Sequence, residues 1–374
     1  MKPNKLTIIL SILMALSFVW GCAEDNDPNM AGAEFLGSSA CAVCHGDIYN
    51  TFIESGHNFS LIKVSGAAPT YPAISAGVPN QPAVLTGWAD VTFLYGGFGW
   101  RGVFIDTTGI VTGVDTQYNL DGAGADVWTD YTVDASESDC GSCHATGWSP
   151  AGGGTNAVTG LTATYELAGV QCESCHGAGD AHVYTTSKDY ITKNTGAGAC
   201  GRCHYRTTKN SLVLATGGFI LSHEQYNEFL ASPHSTTLTC VTCHDPHMTS
   251  KYDGATAYSG IKKTCQSCHT SITSYHDGTP AAQAITCTDC HMSKLVKSAI
   301  TTQAATGNAP AVGDVKSHIM KINTAVGAGS QFYTAGANTY SNLYLTLEYV
   351  CLQCHTGNDV TWAQTNAATI HTGP

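Results

Sequence analysis

The chain reads Gly169-Val-Gln-Cys-Glu-Ser-Cys-His-Gly177 near its middle, and the residues from Cys172 to His176 form the pattern Cys-x-x-Cys-His. This pattern occurs eight times in 374 residues and accounts for 16 of the 17 cysteines. The copies, numbered motifs 1 to 8 in chain order, begin at Cys41, Cys140, Cys172, Cys200, Cys240, Cys265, Cys287 and Cys351. An isolated Cys-x-x-Cys is typical of a disulfide, a redox dithiol or half of a zinc site, but a histidine follows every copy here. One shared chemistry is therefore indicated.

That chemistry is covalent haem attachment. Two cysteines three positions apart bond to the two vinyl groups of one porphyrin, and the adjacent histidine then coordinates the iron from beneath the ring. The sequence predicts eight haems of c type, numbered as their motifs. The predicted attachment residues are Cys41, Cys44, Cys140, Cys143, Cys172, Cys175, Cys200, Cys203, Cys240, Cys243, Cys265, Cys268, Cys287, Cys290, Cys351 and Cys354. The predicted proximal iron ligands are His45, His144, His176, His204, His244, His269, His291 and His355.

Eight of the 16 histidines lie outside the motifs, which equals the number of predicted haems. If each iron binds one of them, no iron has an open position for a substrate, which favours electron transfer over catalysis. No catalytic residue is predicted. Methionine is the main competing axial ligand, and Met30 and Met320 are the methionine candidates. The predicted distal ligands are His57, His182, His223, His234, His247, His276, His318 and His371.

Two of these histidines lie too close to a proximal ligand to complete the same site. His247 follows His244 by three residues and emerges on the same side of that haem ring. His182 follows His176 by six residues, and the same argument applies to it. Each is expected to bind the iron of a neighbouring haem, so that consecutive haems form one contact network.

The N-terminus is typical of an exported protein. Lys2 and Lys5 precede an apolar run over residues 6–20, as in a secretory leader. About 15 apolar residues fall short of the roughly 20 that span a bilayer, which argues against an uncleaved anchor. Residues 19–22 resemble a bacterial lipoprotein cleavage box, and Cys22 is the one cysteine outside the motifs. We predict lipidation of Cys22 and anchoring to the outer membrane, at the cell surface or its periplasmic face; ordinary cleavage nearby is the alternative.

The rest of the sequence predicts mostly short helices and coil wrapped around a stacked haem chain, because glycine-rich segments interrupt it and helical periodicity is scarce. One exception is the stretch near residues 88–115, where aromatic and β-branched residues flank glycines and predict a β-hairpin or small sheet. The predicted parts are a lipoprotein-type signal peptide (1–21), an acidic tether (22–35), a main haem-array domain (36–300) that carries haems 1–7 and a β insert (60–135), and a C-terminal segment (301–374) with haem 8.

A short helix is predicted near two distal candidates. Ser222 lies three residues before Gln225, a capping-box pattern that predicts a helix running to Leu230. His223 would then lie in the first turn of this helix. His234 would follow its end, so one helix would fix both side chains.

Five segments carry a resemblance to a known family: residues 95–101, 117–119, 169–182, 218–227 and 240–247. They resemble the outer-surface multihaem cytochromes of metal-reducing bacteria, some of which polymerise into haem-lined filaments. The resemblance covers roughly residues 38–292, and it implies that His182, His223, His234 and His247 are distal ligands. The C-terminal region matches the filament-forming members less well, and the lipoprotein-like leader departs from them.

The resemblance and the motifs together predict an exported octahaem cytochrome that passes electrons along a bis-histidine haem chain. The resemblance implies that the electrons pass to extracellular acceptors such as metal oxides or other cytochromes. An alternative role is that of a subunit in a cytochrome filament. The expected partners are other cytochromes, the membrane through the N-terminal lipid and, in a filament, further copies of the chain. The formal net charge of −12 excludes nucleic acid as a partner. A reductase of a small nitrogen or sulfur oxyanion needs one open haem site, and the Cys-x-x-Cys-Lys motif of many such enzymes does not occur.

Overall fold

The computed structural model describes residues 33–133, 139–150, 152, 154–206, 212–253, 259–272, 285–325, 327, 329–368, 370 and 371. The predicted signal peptide, the lipidation site Cys22, Met30 and the distal candidate His276 lie outside the described residues. Within them, no helix is long and apolar enough to cross a membrane.

The helices are short, as predicted, and the longest in the described part of the chain has eight residues. Their turns coincide with the Cys-x-x-Cys-His motifs and with the segments that follow them. The α-helices are Ser38–Ala42, Gly46–Phe52, Gly141–His144, Cys172–His176, Asp180–Thr185, Ala197–Cys200, Gln225–Ala231, Cys240–Cys243, Cys287–His291 and Val360–Ala367. Single 3-10 turns cover Trp88–Asp90, Gly124–Val127, Lys188–Tyr190 and Cys265–Ser267, and a π-helical turn covers Glu348–Leu352.

The predicted hairpin is present and belongs to a larger antiparallel sheet, here the first sheet. Tyr95 pairs with Val103 across the hairpin. Gly96 turns the chain with φ of 73°, and a Cβ there would lie 2.7 Å from the Arg101 carbonyl oxygen, so the turn requires glycine. In order across the first sheet, its described strands are Leu61–Lys63, Phe93–Gly96, Arg101–Ile105, Gly113–Asn119 and Trp128–Tyr131.

A second sheet was not predicted from the sequence. It joins strands on both sides of residue 300, because Leu214 pairs with Tyr340 and Ile220 pairs with Val296. Its described strands, in order across the sheet, are Val296–Lys297, Phe219–Leu221, Val213–Thr216, Asn338–Ser341 and Phe332–Ala335. Two-stranded pairs are formed by Ile322–Asn323 with Leu345–Thr346, Ala145–Thr146 with Leu167–Ala168, and Asn156–Ala157 with Thr164–Tyr165.

Each large sheet contributes a hydrophobic core that lies against haem motifs. The core of the first sheet contains Phe93 and Tyr95 and packs against Cys140 of motif 2. The core of the second sheet contains Ile220 and packs against Cys290 of motif 7 and Cys351 of motif 8. The two sheets therefore pack against motif 2 and against motifs 7 and 8. These motifs border the two longest intervals between successive motifs in the sequence.

The helix after residue 222 differs from the prediction in how it begins. It starts at Gln225, its N-cap residue is Glu224, and no side chain caps it. His223 precedes the helix in the left-handed region, with φ of 70°. The capping box at Ser222 was therefore wrong. His234 does follow the end of the helix at Ala231, as expected.

Candidate haem-binding sites

Each motif folds as about one helical turn, which orients its cysteines and histidine together. The histidine N–H donates to the carbonyl of the first cysteine at 2.9–3.0 Å in motifs 1, 4, 5, 6 and 8. Capping boxes start two of these turns, with Thr239 and Thr242 in motif 5 and Thr286 and Asp289 in motif 7. Residues four apart on a helix share a face, so the first cysteine and the histidine face the same side.

Seven proximal histidines lie opposite a histidine from outside the motifs, with ring centroids 5.9–6.4 Å apart. Their partners come from distant parts of the chain. The pairs are His45 with His182, His144 with His223, His176 with His247, His204 with His57, His244 with His318, His269 with His234, and His291 with His371.

This separation fits one iron between two imidazole rings. A metal–imidazole bond is about 2.0–2.1 Å long, and the ring centroid lies roughly 1.1 Å beyond the nitrogen, which places two axial rings about 6 Å apart. In the described part of the chain, no three His, Cys, Asp or Glu side chains converge on a bare metal ion. The paired rings therefore fit a metal whose other four ligands come from a porphyrin, which the adjacent cysteine pair would bind.

The eighth motif has a different described neighbour. The His355 ring packs on the Trp362 ring, with 4.6 Å between centroids. Asp359 caps the helix that carries Trp362 by accepting its backbone N–H. His371 follows the same helix and faces His291 of motif 7. The last segment of the chain thus holds motif 8 and reaches back to motif 7.

His247 and His182 lie opposite motifs other than the ones they follow. His247 faces His176 of motif 3, although it is three residues from His244. His182 faces His45 of motif 1, although it is six residues from His176. These pairs connect motifs 5 with 3 and 3 with 1, so they link alternate motifs rather than consecutive ones.

Hydrogen bonds fix the orientation of many of these rings. In five of them Nδ1 lies 2.7–3.2 Å from a backbone carbonyl oxygen, which only accepts, so Nδ1 carries the proton and Nε2 is free to bind iron. The contacts are His57 with Pro246, His144 with Ser60, His176 with Thr192, His182 with Ser187, and His291 with Met320.

Met320 lies near two of these rings but not opposite a proximal histidine. Its carbonyl oxygen accepts from Nδ1 of His291 at 2.9 Å, and its sulfur lies 3.0 Å from Nδ1 of His234. Because an iron-bound histidine uses its other nitrogen, this arrangement orients the two rings. It favours histidine over Met320 as the sixth ligand of haems 6 and 7.

Burial keeps several rings in the neutral form that metal binding needs. Burial lowers the pKa of His204 to about 4 and that of His318 to about 3. It also lowers the pKa of His57. Each of these imidazoles is therefore neutral near pH 7 and has a lone pair available for iron.

Glu173, inside motif 3, organises the site of motif 1. Its side chain is 3% exposed. Its carboxylate accepts the backbone N–H groups of Leu36 at 2.9 Å, Gly37 at 2.8 Å and Gly179 at 2.7 Å. Leu36 and Gly37 lead into the helix before His45, and Gly179 leads into the helix that carries His182. One carboxylate therefore holds the two segments that bring His45 and His182 together.

Replacing Glu173 by Ala is expected to loosen haem 1 without releasing haem 3, because Cys172 and Cys175 remain. Each lost charge-assisted hydrogen bond is worth about 1.5–3 kcal/mol. Visible spectra should show roughly one high-spin haem per molecule, and mass spectrometry should show unchanged haem content. The matched control is Glu166→Ala in the neighbouring loop, which should leave all haems low-spin. An unchanged spectrum for the Glu173 variant would contradict this role.

Contacts between motifs define an order. The sulfurs of Cys41 and Cys172 lie within hydrogen-bond contact, which joins motif 1 to motif 3. The Arg202 guanidinium donates to the Ser174 carbonyl, which joins motif 4 to motif 3. From motif 4 onward, the Cys200 and Cys240 sulfurs lie within hydrogen-bond contact, Gln266 donates to the Cys287 sulfur at 3.5 Å, and the turns of motifs 7 and 8 contact each other. The thiols of Cys243 and Cys268 lie close enough to interact electrostatically, which places motif 6 beside motif 5.

Motif 2 joins this series at its side. Its Cys143 sulfur contacts the Cys203 sulfur of motif 4, and the Cys203 sulfur lies 4.0 Å from the Ser142 carbonyl oxygen. Motif 4 therefore contacts motifs 2, 3 and 5. The described contacts run through motifs 1, 3, 4, 5, 6, 7 and 8, with motif 2 as a branch at motif 4. The sequence predicts one contact network without giving the order of the haems, and these contacts indicate that the order differs from that of the motifs at this end of the array.

Comparisons with known proteins agree with this geometry. Residues 120–177, which contain motifs 2 and 3, match the family model described as cytochrome c554 and c-prime. The outer cell wall cytochrome OcwA is 18% identical with a TM-score of 0.51, over 90% of this chain and 86% of that one. The octaheme sulfite reductase MccA of Wolinella succinogenes is 16% identical with a TM-score of 0.57, over 86% and 65%. Among curated proteins, none matches this sequence.

These likenesses confirm the predicted fold class. The chain has a multihaem cytochrome c fold, with short helices and small sheets around the haem motifs. Haem c is the cofactor that this fold and the Cys-x-x-Cys-His motifs support. At such low identity, the two structures define the architecture, and the function is argued from the geometry of this chain.

Proposed function

We propose that this protein is an octahaem c-type cytochrome that conducts electrons through bis-histidine haems. The observation that carries the proposal is the set of seven described histidine pairs, each spaced for one iron, on motifs that contact one another in series. Haem supplies the one-electron chemistry when bound. The chain holds each ring pair, fixes its orientation and excludes water from the buried pairs.

The eighth distal ligand is proposed from the sequence alone. Seven of the spare histidines face seven proximal histidines in the described residues, and His276, which lies outside them, remains the eighth distal candidate. Haem attachment at all eight motifs belongs to the same proposal.

The proposed setting is the cell exterior, with the lipid on Cys22 as anchor. The leader-like N-terminus supports export, and the name of the outer cell wall cytochrome OcwA is consistent with a surface location. Electrons would pass from a donor cytochrome to an extracellular acceptor such as a metal oxide or another cytochrome. Self-association into a filament is the alternative assembly, in which electrons would pass through the same eight haems of each copy.

A reductase is the competing function, because one similar structure is an octaheme sulfite reductase. Such an enzyme requires an iron with a free coordination position. Each of the seven described pairs has a histidine on both sides, including the pairs of the central motifs 4 and 5. The geometry therefore favours the conduit.

Mass spectrometry of the mature protein should show eight haem additions on a chain that begins at a lipidated Cys22. After reduction, carbon monoxide should bind little, because every iron already has two histidine ligands. Carbon monoxide binding to one haem per molecule would contradict the closed array and favour the reductase. An unmodified N-terminus would refute the lipid anchor alone.

The angles between paired rings predict two kinds of low-spin spectrum. The angle between two axial imidazole planes sets the splitting of the iron d orbitals, so parallel and perpendicular pairs give different EPR signals. Three pairs are near parallel, at 6°, 12° and 20° for haems 3, 7 and 1. Three are steep, at 69°, 77° and 78° for haems 4, 2 and 6. EPR of the oxidised protein should show both classes in similar amounts; a single class would contradict the ring geometry.

A further inference from the structure

Motif 6 is more exposed than any of the other seven motifs. All five of its residues, 265–269, are exposed, and so are residues 262–264, 270 and 271 on either side. Each of the other motifs has at least two residues that are buried or half-buried. A haem bonded to Cys265 and Cys268 therefore has its thioether edge at the surface formed by residues 262–271, here the motif 6 surface.

This exposed motif lies inside the main series and not at one of its ends. The thiols of Cys243 and Cys268 place motif 6 beside motif 5. On its other side, Gln266 donates to the Cys287 sulfur of motif 7 at 3.5 Å. An electron that arrives at haem 6 can therefore pass in both directions along the array.

Two adjacent lysines lead into motif 6. The Lys262 backbone N–H donates to the Cys243 carbonyl oxygen at 2.7 Å, and the Asp245 backbone N–H donates to the Gly260 carbonyl oxygen at 2.9 Å. These bonds hold the segment against motif 5, so Lys262 and Lys263 lie between motifs 5 and 6. Both lysines are exposed, and within the described residues neither ammonium group pairs with a carboxylate.

The surrounding sequence is basic, although the protein as a whole is acidic. Residues 251–321 contain seven lysines and four aspartates, whereas the whole chain has a net charge of −12. Asp253 is the opposing charge on the segment that carries the two lysines. Its carboxylate accepts the Ile261 backbone N–H at 3.1 Å and the Ser259 hydroxyl at 2.7 Å. Two lysines against one bonded aspartate leave the motif 6 surface positively charged.

The rest of the motif 6 surface is polar. Residues 264–271 place threonine, serine and glutamine side chains around the cysteines and the histidine. None of the large apolar side chains that are exposed in the described residues belongs to this surface. Permanent protein interfaces bury apolar side chains, whereas electron-transfer encounters are small, weak and guided by charge. A polar, positively charged surface around a haem motif therefore fits a transient encounter with an acidic protein.

We propose that the motif 6 surface is the docking site of an acidic electron-transfer protein, which exchanges electrons with the array at haem 6. This rests on the proposed function and adds an access point within the series. The docked protein gives one electron to the iron of haem 6 or takes one from it, so one centre is oxidised as the other is reduced. No bond forms or breaks, and the relative potentials of the two proteins set the direction.

The test is the rate at which a plant-type ferredoxin, an acidic donor of low potential, reduces the holoprotein in stopped-flow measurements. The rate constant of the parent should fall steeply as ionic strength rises, because salt screens the attraction. Lys262→Gln with Lys263→Gln should lower it about tenfold at low ionic strength and change it little at high ionic strength. The matched control is Lys188→Gln with Lys193→Gln, which removes two exposed lysines near His182 and should leave the rate unchanged.

Two further variants separate charge from the presence of haem 6. Lys262→Glu with Lys263→Glu should slow reduction by ferredoxin further and speed oxidation of the reduced protein by a basic mitochondrial cytochrome c. Cys265→Ala with Cys268→Ala keeps both lysines but removes haem 6, so mass spectrometry should show one haem fewer than in the parent. The fast, salt-dependent reduction should then disappear. Fast reduction of this variant would place the access point at another haem and overturn the proposal.

Equal rates at low ionic strength for the parent and the Lys262→Gln, Lys263→Gln variant would also overturn the proposal. The same holds for an equal loss in the control pair, which would reflect net charge alone. Equal slowing of reduction by dithionite, a small anion that needs no docking surface, would exclude a docked protein. Salt-dependent self-association that only the parent shows would assign the surface to a second copy instead.

The number of electrons that each molecule finally takes up tests the proposed function separately. Ferredoxin should reduce every haem of the parent and of the lysine variants, whatever the rate. Reduction of only part of the haems in the parent would contradict the series of contacts between motifs. A change in rate with full reduction concerns the motif 6 surface alone.

Discussion

Removing haem 4 with Cys200→Ala and Cys203→Ala is expected to divide the array into separate parts. Motif 4 contacts motifs 2, 3 and 5, so its loss leaves haems 1 and 3 on one side, haem 2 alone, and haems 5 to 8 on the other side. Voltammetry of the adsorbed protein should then detect rapid exchange only with the part that touches the electrode. The parent protein should exchange electrons with all its haems.

Removal of haem 2 is the matched control. Cys140→Ala with Cys143→Ala also removes one haem, but from the branch, and rapid exchange with the remaining haems should persist. His57→Met tests the same junction without removing a haem. Methionine raises the reduction potential of haem 4, which makes electron transfer from haem 4 to its neighbours unfavourable and slows passage through the main series. If loss of haem 2 interrupts exchange as much as loss of haem 4, the branched order is wrong.

Replacing His247 by Met should raise the potential of haem 3, although His247 is only three residues from the proximal ligand of haem 5. Methionine is a weaker donor than imidazole and favours ferrous iron. A shift of about 0.1 V is expected, which is a fraction of the roughly 0.8 V that axial ligands span. Covalent attachment should remain intact, since Cys172 and Cys175 form the bonds of haem 3.

The EPR class identifies the affected haem. The pair of His176 and His247 is near parallel at 6°, whereas the pair of His244 and His318 is at 41°. The component that changes in a redox titration should therefore belong to the near-parallel class. His318→Met is the control and should affect haem 5. A shift in haem 5 in the His247 variant, or no shift at all, would contradict the pairing.

The motifs alone predict the cofactor and the fold class, because Cys-x-x-Cys-His is a local arrangement that one helical turn completes. Pairing is different, since it depends on long-range folding. His57 meets His204, and His45 meets His182, across more than 130 residues in each case. The short spacings of His247 from His244 and of His182 from His176 indicate that neither histidine completes the adjacent site, but they do not identify its partner.

Other features have little or no local signal. Glu173 accepts hydrogen bonds from backbone N–H groups up to 137 residues away in the sequence. Its neighbours in the sequence are those of an ordinary Cys-x-x-Cys-His motif, so nothing local indicates this role. In the second sheet, Gly217-Gly218 between Val213–Thr216 and Phe219–Leu221 is a hairpin signal that could have been found in the sequence. The pairing of Val213–Thr216 with Asn338–Ser341 joins segments more than 120 residues apart and has no such signal. His223 takes a left-handed conformation that the capping-box pattern at Ser222 does not indicate.

The most direct test of the central claim is an experimental map of the iron positions from anomalous diffraction at the iron edge. We expect eight irons, seven of them midway between the described histidine pairs, and three near neighbours for the iron between His57 and His204. Fewer than eight irons, or an iron with histidine on one side only, would contradict the closed array. An unbranched row of irons in the order of the motifs would contradict the junction at motif 4.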